Sequence, residues 1–390
     1  MTNEKLARES GMTRIHSEAD LTVEGCQTLS DLPADARQLM DLAEQTSMQF
    51  GWSWYSNLID KVFAEQANDL WFYILRSPSQ VLAVLPLRVN RENGYLTLSA
   101  LANYYTSVYA PCLAAATTPQ DVAVLFRALK KSWPRLATVN LSPMDHASPQ
   151  FQLLQQAMTL AGLRNFDFYC FGNWYEPVQT DWKGYLMQRK ANFRSTIKRH
   201  GAKLLQDGGR IELVDAASPQ ALEQAIEAYQ KVYSASWKKD EPFADFVPGL
   251  IRTCAEKGWL RMGLAWMNEQ PIAAQIWIVA HGKADIYKVA YDESFKAYSP
   301  GTLVSALVME HVMEVDGVRE VDFLVGDDAY KKVWMSARRE RWGLVGYNPA
   351  VLAGLLGWQR ELWWRKLKPL VARGKAMLAA KEKPPSVAKD

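Results

Sequence analysis

Two distant stretches of this chain carry one pattern of strands, turns and helices, and that repetition restricts the fold more than any other feature. From Trp71, WFYILRSPSQVLAVLPLRV reads as a strand, a Ser-Pro-Ser turn and a second strand. From Leu260, LRMGLAWMNEQPIAAQIWIV does the same around Asn-Glu-Gln-Pro. Each hairpin is followed by a strand (YLTLSAL, ADIYKVAY), a loop containing proline, a helical stretch near 119–132 or 302–315, and a short strand (LATVNLS, REVDFLV). Each half then ends in a helix and a last strand, PQFQLLQQAMTLAGL with RNFDFYCF and DDAYKKVWMSA with RWGLVGYN. With Leu82 and Ile272 as hairpin marks and Val139 and Phe323 as late-strand marks, the spacings are 139 − 82 = 57 and 323 − 272 = 51. Residue identities hardly agree, so the order and spacing of elements are what is repeated. Alternating strands and helices build layered α/β domains, and 390 residues exceed the roughly 250–300 that one core accommodates.

The expectation is an α/β (α+β) chain of two tandem domains, each a mixed, mostly antiparallel sheet flanked by helices. The limits read from the pattern are an N-terminal extension over 1–35, a first domain over 36–172 and a basic connecting helix over 173–204. A second, catalytic domain follows over 205–350, and a basic, tryptophan-rich helix with a disordered tail occupies 351–390.

Composition excludes more than it identifies. A net charge of +3 names no partner, and 48% hydrophobic content is ordinary for a globular chain. Cys26, Cys112, Cys170 and Cys254 are widely separated, with no CxxC or Cys/His cluster, so reduced thiols and no metal site are expected. No apolar run has the length of a signal peptide core or a membrane span, which points to a cytoplasmic protein.

Charge is concentrated between the halves. Lys183 to Lys203 holds seven Lys or Arg and no Asp or Glu, with Lys190, Arg194 and Lys198 in one i, i+4 row beside an apolar stripe of Leu186, Phe193, Ile197 and Leu204. Two readings stand, a solvated basic face and an anion-binding face.

Chemistry is concentrated at two helix starts. In YSPGTLVSALVMEHVMEVDG, Ser299 is placed as N-cap, Pro300 as the first helical residue, and Gly301 bares backbone N–H groups at the positive end of the helix dipole, where phosphates bind. In VDFLVGDDAYKKVWM an alternating strand opens into an acidic and basic cluster. Asp327 or Asp328 as an N-cap explains the acids. Tyr330 and Lys331, in the first turn, point toward the same crevice as Gly301, where the lysine would stabilise leaving-group charge and the tyrosine would donate a proton. Asp322 is a candidate base or amine anchor, or a structural hydrogen-bond partner. Trp237 and Lys238, ending SASWKK, read as a loop lip with an exposed aromatic or as a tryptophan packed onto the sheet. No Ser-His-Asp or Cys-His spacing recommends a nucleophile, so direct attack by an amine on a thioester or ester is expected.

Taken together, RKANFRSTIKR, SASWKK, NEQPIAAQIWI, YDESFKAYSPGTLV and VDFLVGDDAYKKVWM resemble the GNAT-fold acyltransferases of the BioF2-like, FemAB-related group, which includes proteins of cellulose and exopolysaccharide synthesis. The resemblance covers roughly Asp181 to Tyr347 and reaches the first half through the repeat. It implies tandem GNAT folds and transfer of an acyl group from acyl-CoA, or from aminoacyl-tRNA in the peptidoglycan branch, to an amine. It places the pyrophosphate loop at Ser299, Gly301, Thr302 and Leu303. It makes Lys331 the residue that steadies the leaving group, with Tyr330 and Asp322 beside it. Substrate contacts fall to Trp237, Lys238, Arg194, Lys198 and Asp328. The usual Gly-rich loop is shortened here to KAYSPG, and Trp334 stands where GNAT enzymes place a tyrosine, so Tyr330 or Lys331 must protonate the leaving group.

Three functions are therefore open. The first is an acyl-CoA N-acyltransferase acting on a cell-envelope or exopolysaccharide amine. The second is a Fem-like ligase using aminoacyl-tRNA, and the third a non-catalytic envelope-assembly protein. The tail helix, with Trp358, Leu362 and Trp363 beside Arg360, Arg365, Lys366 and Lys368, reads either as a peripheral membrane contact over 351–372 or as packing across the two domains.

Overall fold

The repeat is complete in three dimensions. The structure, a computed structural model, describes residues 11–18 and 20–381, with side chains as far as 367. The first ten residues of the N-terminal extension and the expected disordered tail from 382 lie outside the described residues.

The first half begins with β1 (Thr13–Glu18) and β2 (Leu21–Cys26), followed by α1 (Ala34–Glu44), α2 (Trp52–Val62), β3 (Leu70–Arg76), β4 (Val81–Glu92) and β5 (Tyr95–Ala100). A short β6 (Cys112–Leu113), α3 (Pro119–Ser132), β7 (Leu136–Asp145), α4 (Pro149–Leu160) and β8 (Arg164–Pro177) complete it. Two connecting helices, α5 (Trp182–Met187) and α6 (Ala191–Gln206), lead to the second half. There β9 (Gly209–Leu213), α7 (Pro219–Ser234), α8 (Phe246–Glu256), β10 (Leu260–Met267), β11 (Gln270–Ala280) and β12 (Lys283–Tyr291) repeat the series from β2 to β5. Then α9 (Pro300–Glu314), β13 (Glu320–Asp322), α10 (Lys331–Trp334) and β14 (Ala337–Tyr347) repeat α3, β7, α4 and β8, and α11 (Leu352–Lys381) ends the described chain. The expected α/β class holds, and the repeat also takes in β2/β9 and the helix pairs α1–α2 and α7–α8.

The closing strands are exchanged between halves. The sheet runs β1-β2-β3-β4-β5-β7-β14-β8-β13-β12-β11-β10-β9, so β14 lies between β7 and β8 of the first half, and β8 lies between β14 and β13 of the second. Both contacts of β14 are antiparallel, with Leu344 opposite Leu141 on one side and Asp167 on the other. Each half therefore supplies the strand that completes the other's sheet, and one continuous sheet results. A second seam lies on one face, where α2 and α8 meet, Asn57 donates to the carbonyl of Phe246 at 3.0 Å, and Trp54 meets Phe246 edge to face at 5.6 Å. The core there is shared by both halves and contains Trp54, Leu58, Phe72, Phe246, Ile251 and Ile276. Helix α11 packs across β7 and β14, one strand from each half.

Candidate functional site

The site is created by two parallel strands that part. β12 pairs with β13 only from Lys283–Glu320 to Asp285–Asp322, although β12 runs on to Tyr291. After Asp322 the chain turns sharply, because Leu324 takes φ 54° and Gly326 φ 106°. Left-handed backbone is strained for leucine, and the Asp322 carboxylate holds it by accepting the Leu324 N–H at 2.7 Å. The gap so opened holds two adjoining clefts of about 290 and 330 Å³, which share Trp237, Val289, Phe323 and Tyr330 as a wall. The register of β12 on β11 skips Tyr287, a bulge, and Ile286 to Val289 all line the first cleft instead of alternating between faces.

The first cleft is cationic. Lys238, Lys288 and Lys331 line it, with Asp328 and, from the β5–β6 loop of the first half, Tyr104, Tyr105 and Ser107. Lys331 is 4% exposed and faces inward. Its ammonium donates to the carbonyl oxygens of Phe323 (3.3 Å) and Val325 and lies 3.4 Å from Asp328. Burial lowers its pKa, against the pull of Asp328. Lys238 is pushed down to about 8 by burial and by the neighbouring Lys288. Lys288 is paired with Glu241 at 2.5 Å, and Glu241 also accepts from Tyr105 (2.6 Å) and Tyr104 (3.0 Å). Burial alone would raise the Glu241 carboxyl, but those donors outweigh it and hold it below its ordinary value. Tyr330, 45% exposed, rests edge to face on Phe323 at 5.6 Å, and partial desolvation against the cleft wall, with Asp328 nearby, pushes its phenol up.

The second cleft is headed by the N-terminus of α9, with Ser299, Gly301, Thr302 and Ser305 on its wall. Buried Gln275 fixes that first turn, donating to the Gly301 carbonyl and to Ser305 Oγ, each at 2.7 Å, while it accepts from Trp277 at 2.9 Å. A Cβ added at Gly301 would meet nothing nearer than Tyr291 at 3.4 Å, an ordinary contact. Among the described residues nothing demands glycine there, whereas a ligand in close approach to the backbone would. The Thr302 and Leu303 N–H groups turn back to the Ser299 carbonyl at 2.9 and 3.2 Å, and Pro300 has no N–H. The Gly301 N–H and the Thr302 hydroxyl are what the tip offers, so the residues fit a single anionic group there better than a fully cradled diphosphate.

Several expectations need correction. Asp322 is fully buried and saturated, with Lys283 at 2.8 Å, the Arg339 guanidinium and Asn173 on its oxygens. Burial raises a carboxyl, yet Lys283 and Arg339 overcome this and hold Asp322 well below the carboxylate range. It lines neither cleft, and its contacts are those of a structural hydrogen-bond partner, the second of the two readings open in the sequence. Leu303 turns into the core at 2% exposure, because it lies one residue past the ligand-facing edge of α9. Arg194 caps the end of α5, donating to the carbonyls of Arg189 and Met187, and does not line either cleft. Lys198, one turn further along α6, is exposed and lines neither cleft. Ser299 occupies the N-cap position with φ 50° but makes no side-chain cap; its hydroxyl pairs with His200 Nδ1 at 2.8 Å. The helix after Asp328 is one turn long, with Tyr330 at its N-cap. Asp327 binds Trp174 and Arg338 instead, and Asp328 faces Lys331. Trp237 is half exposed and tilts against Tyr291 at 4.8 Å. The structure thus gathers Trp237, Lys238, Asp328, Tyr330 and Lys331 around one cleft, and Ser299, Gly301 and Thr302 around its neighbour. Sequence reasoning missed Lys288, Glu241, Gln275 and the Tyr104–Tyr105 loop. The tyrosine pair within YYTS was a visible signal, but its destination in the other half was not.

Residues 191–332 match the family model described as an acetyltransferase (GNAT) domain. That stretch of the second half is thus similar to acetyltransferase (GNAT) domains. The match runs from α6 to α10, so it takes in most of the lining of both clefts, without Tyr104, Tyr105, Ser107 and Trp334, and stops before the exchanged strand β14. Among solved structures, the chain is similar to FemX (TM-score 0.55, 12% identity, 82% of this chain and 97% of that one). It is also similar to the C-terminal domain of a protein described as a lysylphosphatidylglycerol synthetase from Agrobacterium fabrum (TM-score 0.50, 13% identity, 84% and 96%). A protein of unknown function from Bacteroides thetaiotaomicron shares the fold as well (TM-score 0.52, 8% identity, 81% and 97%). At these identities what is shared is the fold, and it extends over both halves. No curated protein matches the sequence significantly.

Proposed function

We propose that the chain is an N-acyltransferase that moves an acyl group from acyl-CoA to an amine of a cell-envelope or exopolysaccharide acceptor. The observation that carries this reading is the meeting of two clefts at the parting of β12 and β13, one headed by the α9 tip and the other by the inward-facing Lys331. The tip would take the anionic part of the carrier, while the thioester lies along the shared wall. A neutral amine attacks the acyl carbon, the C–N bond forms as the C–S bond breaks, the departing thiolate is met by the Lys331 ammonium and protonated by Tyr330, and the phenolate recovers its proton from the nitrogen of the new amide. The acceptor class rests on the sequence resemblance alone. A melting screen tests the donor: CoA at 100 times its Kd stabilises by about 2.7 kcal/mol, and no shift with CoA or any acyl-CoA refutes it.

A second reading uses aminoacyl-tRNA as the donor. It is favoured by the fold shared with FemX and by the sparse α9 tip, which suits a carrier without a diphosphate. It predicts steeply salt-dependent tRNA binding and a melting shift with tRNA but not CoA.

A further inference from the structure

The last helix turns a tryptophan-bearing stripe to solvent. One side of α11 is docked. At Gly354 an added Cβ would come within 2.7 Å of the Ala137 carbonyl oxygen in β7, and Arg164 lies 5.4 Å over the Trp358 ring. Arg365 bonds Glu361 at 2.8 Å and the main-chain oxygen of Asp167 in β8. Residues 354, 358, 361 and 365 recur at helical spacing, so one stripe faces the sheet. The other stripe is Leu352, Leu356, Trp363 and Leu367, with Trp364 beside it, and all five are 45–66% exposed. Arg360 and Lys366 flank these residues, at positions that the same periodicity places on either side of the stripe.

Large apolar side chains gathered in one exposed stripe mark a docking surface, and charge selects its occupant. Residues 352–381 contain seven Lys or Arg and one Glu. A second copy would set like charge against like, whereas an anionic bilayer complements it. Tryptophan also favours the headgroup region, where its ring is half solvated. Crossing is not at issue, since no described helix is long and apolar enough to span a membrane. We infer that α11 lies along an anionic lipid surface, with Trp363, Trp364 and the leucines among the headgroups and Arg360 and Lys366 on lipid phosphates. This holds whichever carrier delivers the acyl group.

The test is flotation of the full chain with vesicles of phosphatidylcholine alone or with phosphatidylglycerol as one third of the lipid. Binding is expected to the mixed vesicles only, and to weaken with salt. The double variant Trp363→Ser/Trp364→Ser lowers partitioning about tenfold or more, and Arg360→Gln or Lys366→Gln lowers it about fivefold each. Because these side chains are exposed, circular dichroism and melting stay unchanged. Absence of flotation, equal binding to neutral vesicles, or unaltered binding of the double serine variant overturns the inference. So does a dimer in sedimentation that the serine variant dissolves, which would make the stripe a contact between copies.

Discussion

Replacing Asp322 by asparagine separates a structural hub from a catalytic base. The wild-type carboxylate is sealed from solvent, accepts the Leu324 N–H at 2.7 Å, and meets Lys283 at 2.8 Å and the Arg339 guanidinium. Removing one partner of a buried ion pair costs about 3–5 kcal/mol. The lower end applies here, because Lys283 keeps Asp285 at 2.8 Å, Arg339 keeps Glu320 at 2.6 Å, and the asparagine oxygen retains the Leu324 bond. Asp322→Asn should therefore lose about 3 kcal/mol in equilibrium urea unfolding at pH 7. The pH dependence has a definite sign. The folded pKa is depressed by Lys283 and Arg339 despite burial, so the stabilisation is present above the unfolded value of about 3.9. It fades as pH falls toward the folded value, and the gap between wild type and variant should narrow below about pH 4. Wild-type stability with collapse of kcat would refute the hub and restore Asp322 as a base.

Other outcomes follow from the same geometry. Lys331→Ala should lower kcat about 10²–10³-fold with little change in KM, and equal activity would remove that residue from the mechanism. Gly301→Ala should fold as well as wild type, since its Cβ meets only Tyr291 at 3.4 Å, yet lose most of the melting shift produced by CoA; an intact shift would count against donor binding at the α9 tip. Lys238, held at about 8 by burial and Lys288, should become half reactive toward acetic anhydride near that pH, well below an ordinary lysine, as read by mass spectrometry of the labelled peptide. A chain ending at Ser336 lacks β14 and leaves facing edges of β7 and β8 unpaired, so its far-ultraviolet dichroism and solubility should show a failure to fold; a folded product would argue that the halves close independently.

The sequence by itself determined the repeat, because hairpin turns such as Ser77–Gln80 and the alternation of apolar residues are local properties that survive when identities do not. It also pointed to Lys331, Tyr330 and Gly301, whose surroundings within a few residues already look anomalous. Asp322 stayed open between base and structural partner, since alternation says which face a side chain takes but not that Lys283 and Arg339, from β12 and β14, will close over it. Only the tertiary structure decided that β8 and β14 trade places and that Tyr105 and Glu241, 136 residues apart, share a hydrogen bond beside Lys288. It likewise decided that the parting of β12 from β13, and not a glycine-rich loop, opens the site. Pairing across a sheet and charge neutralisation in its interior are set by which segments meet, and no local pattern of residues encodes that meeting.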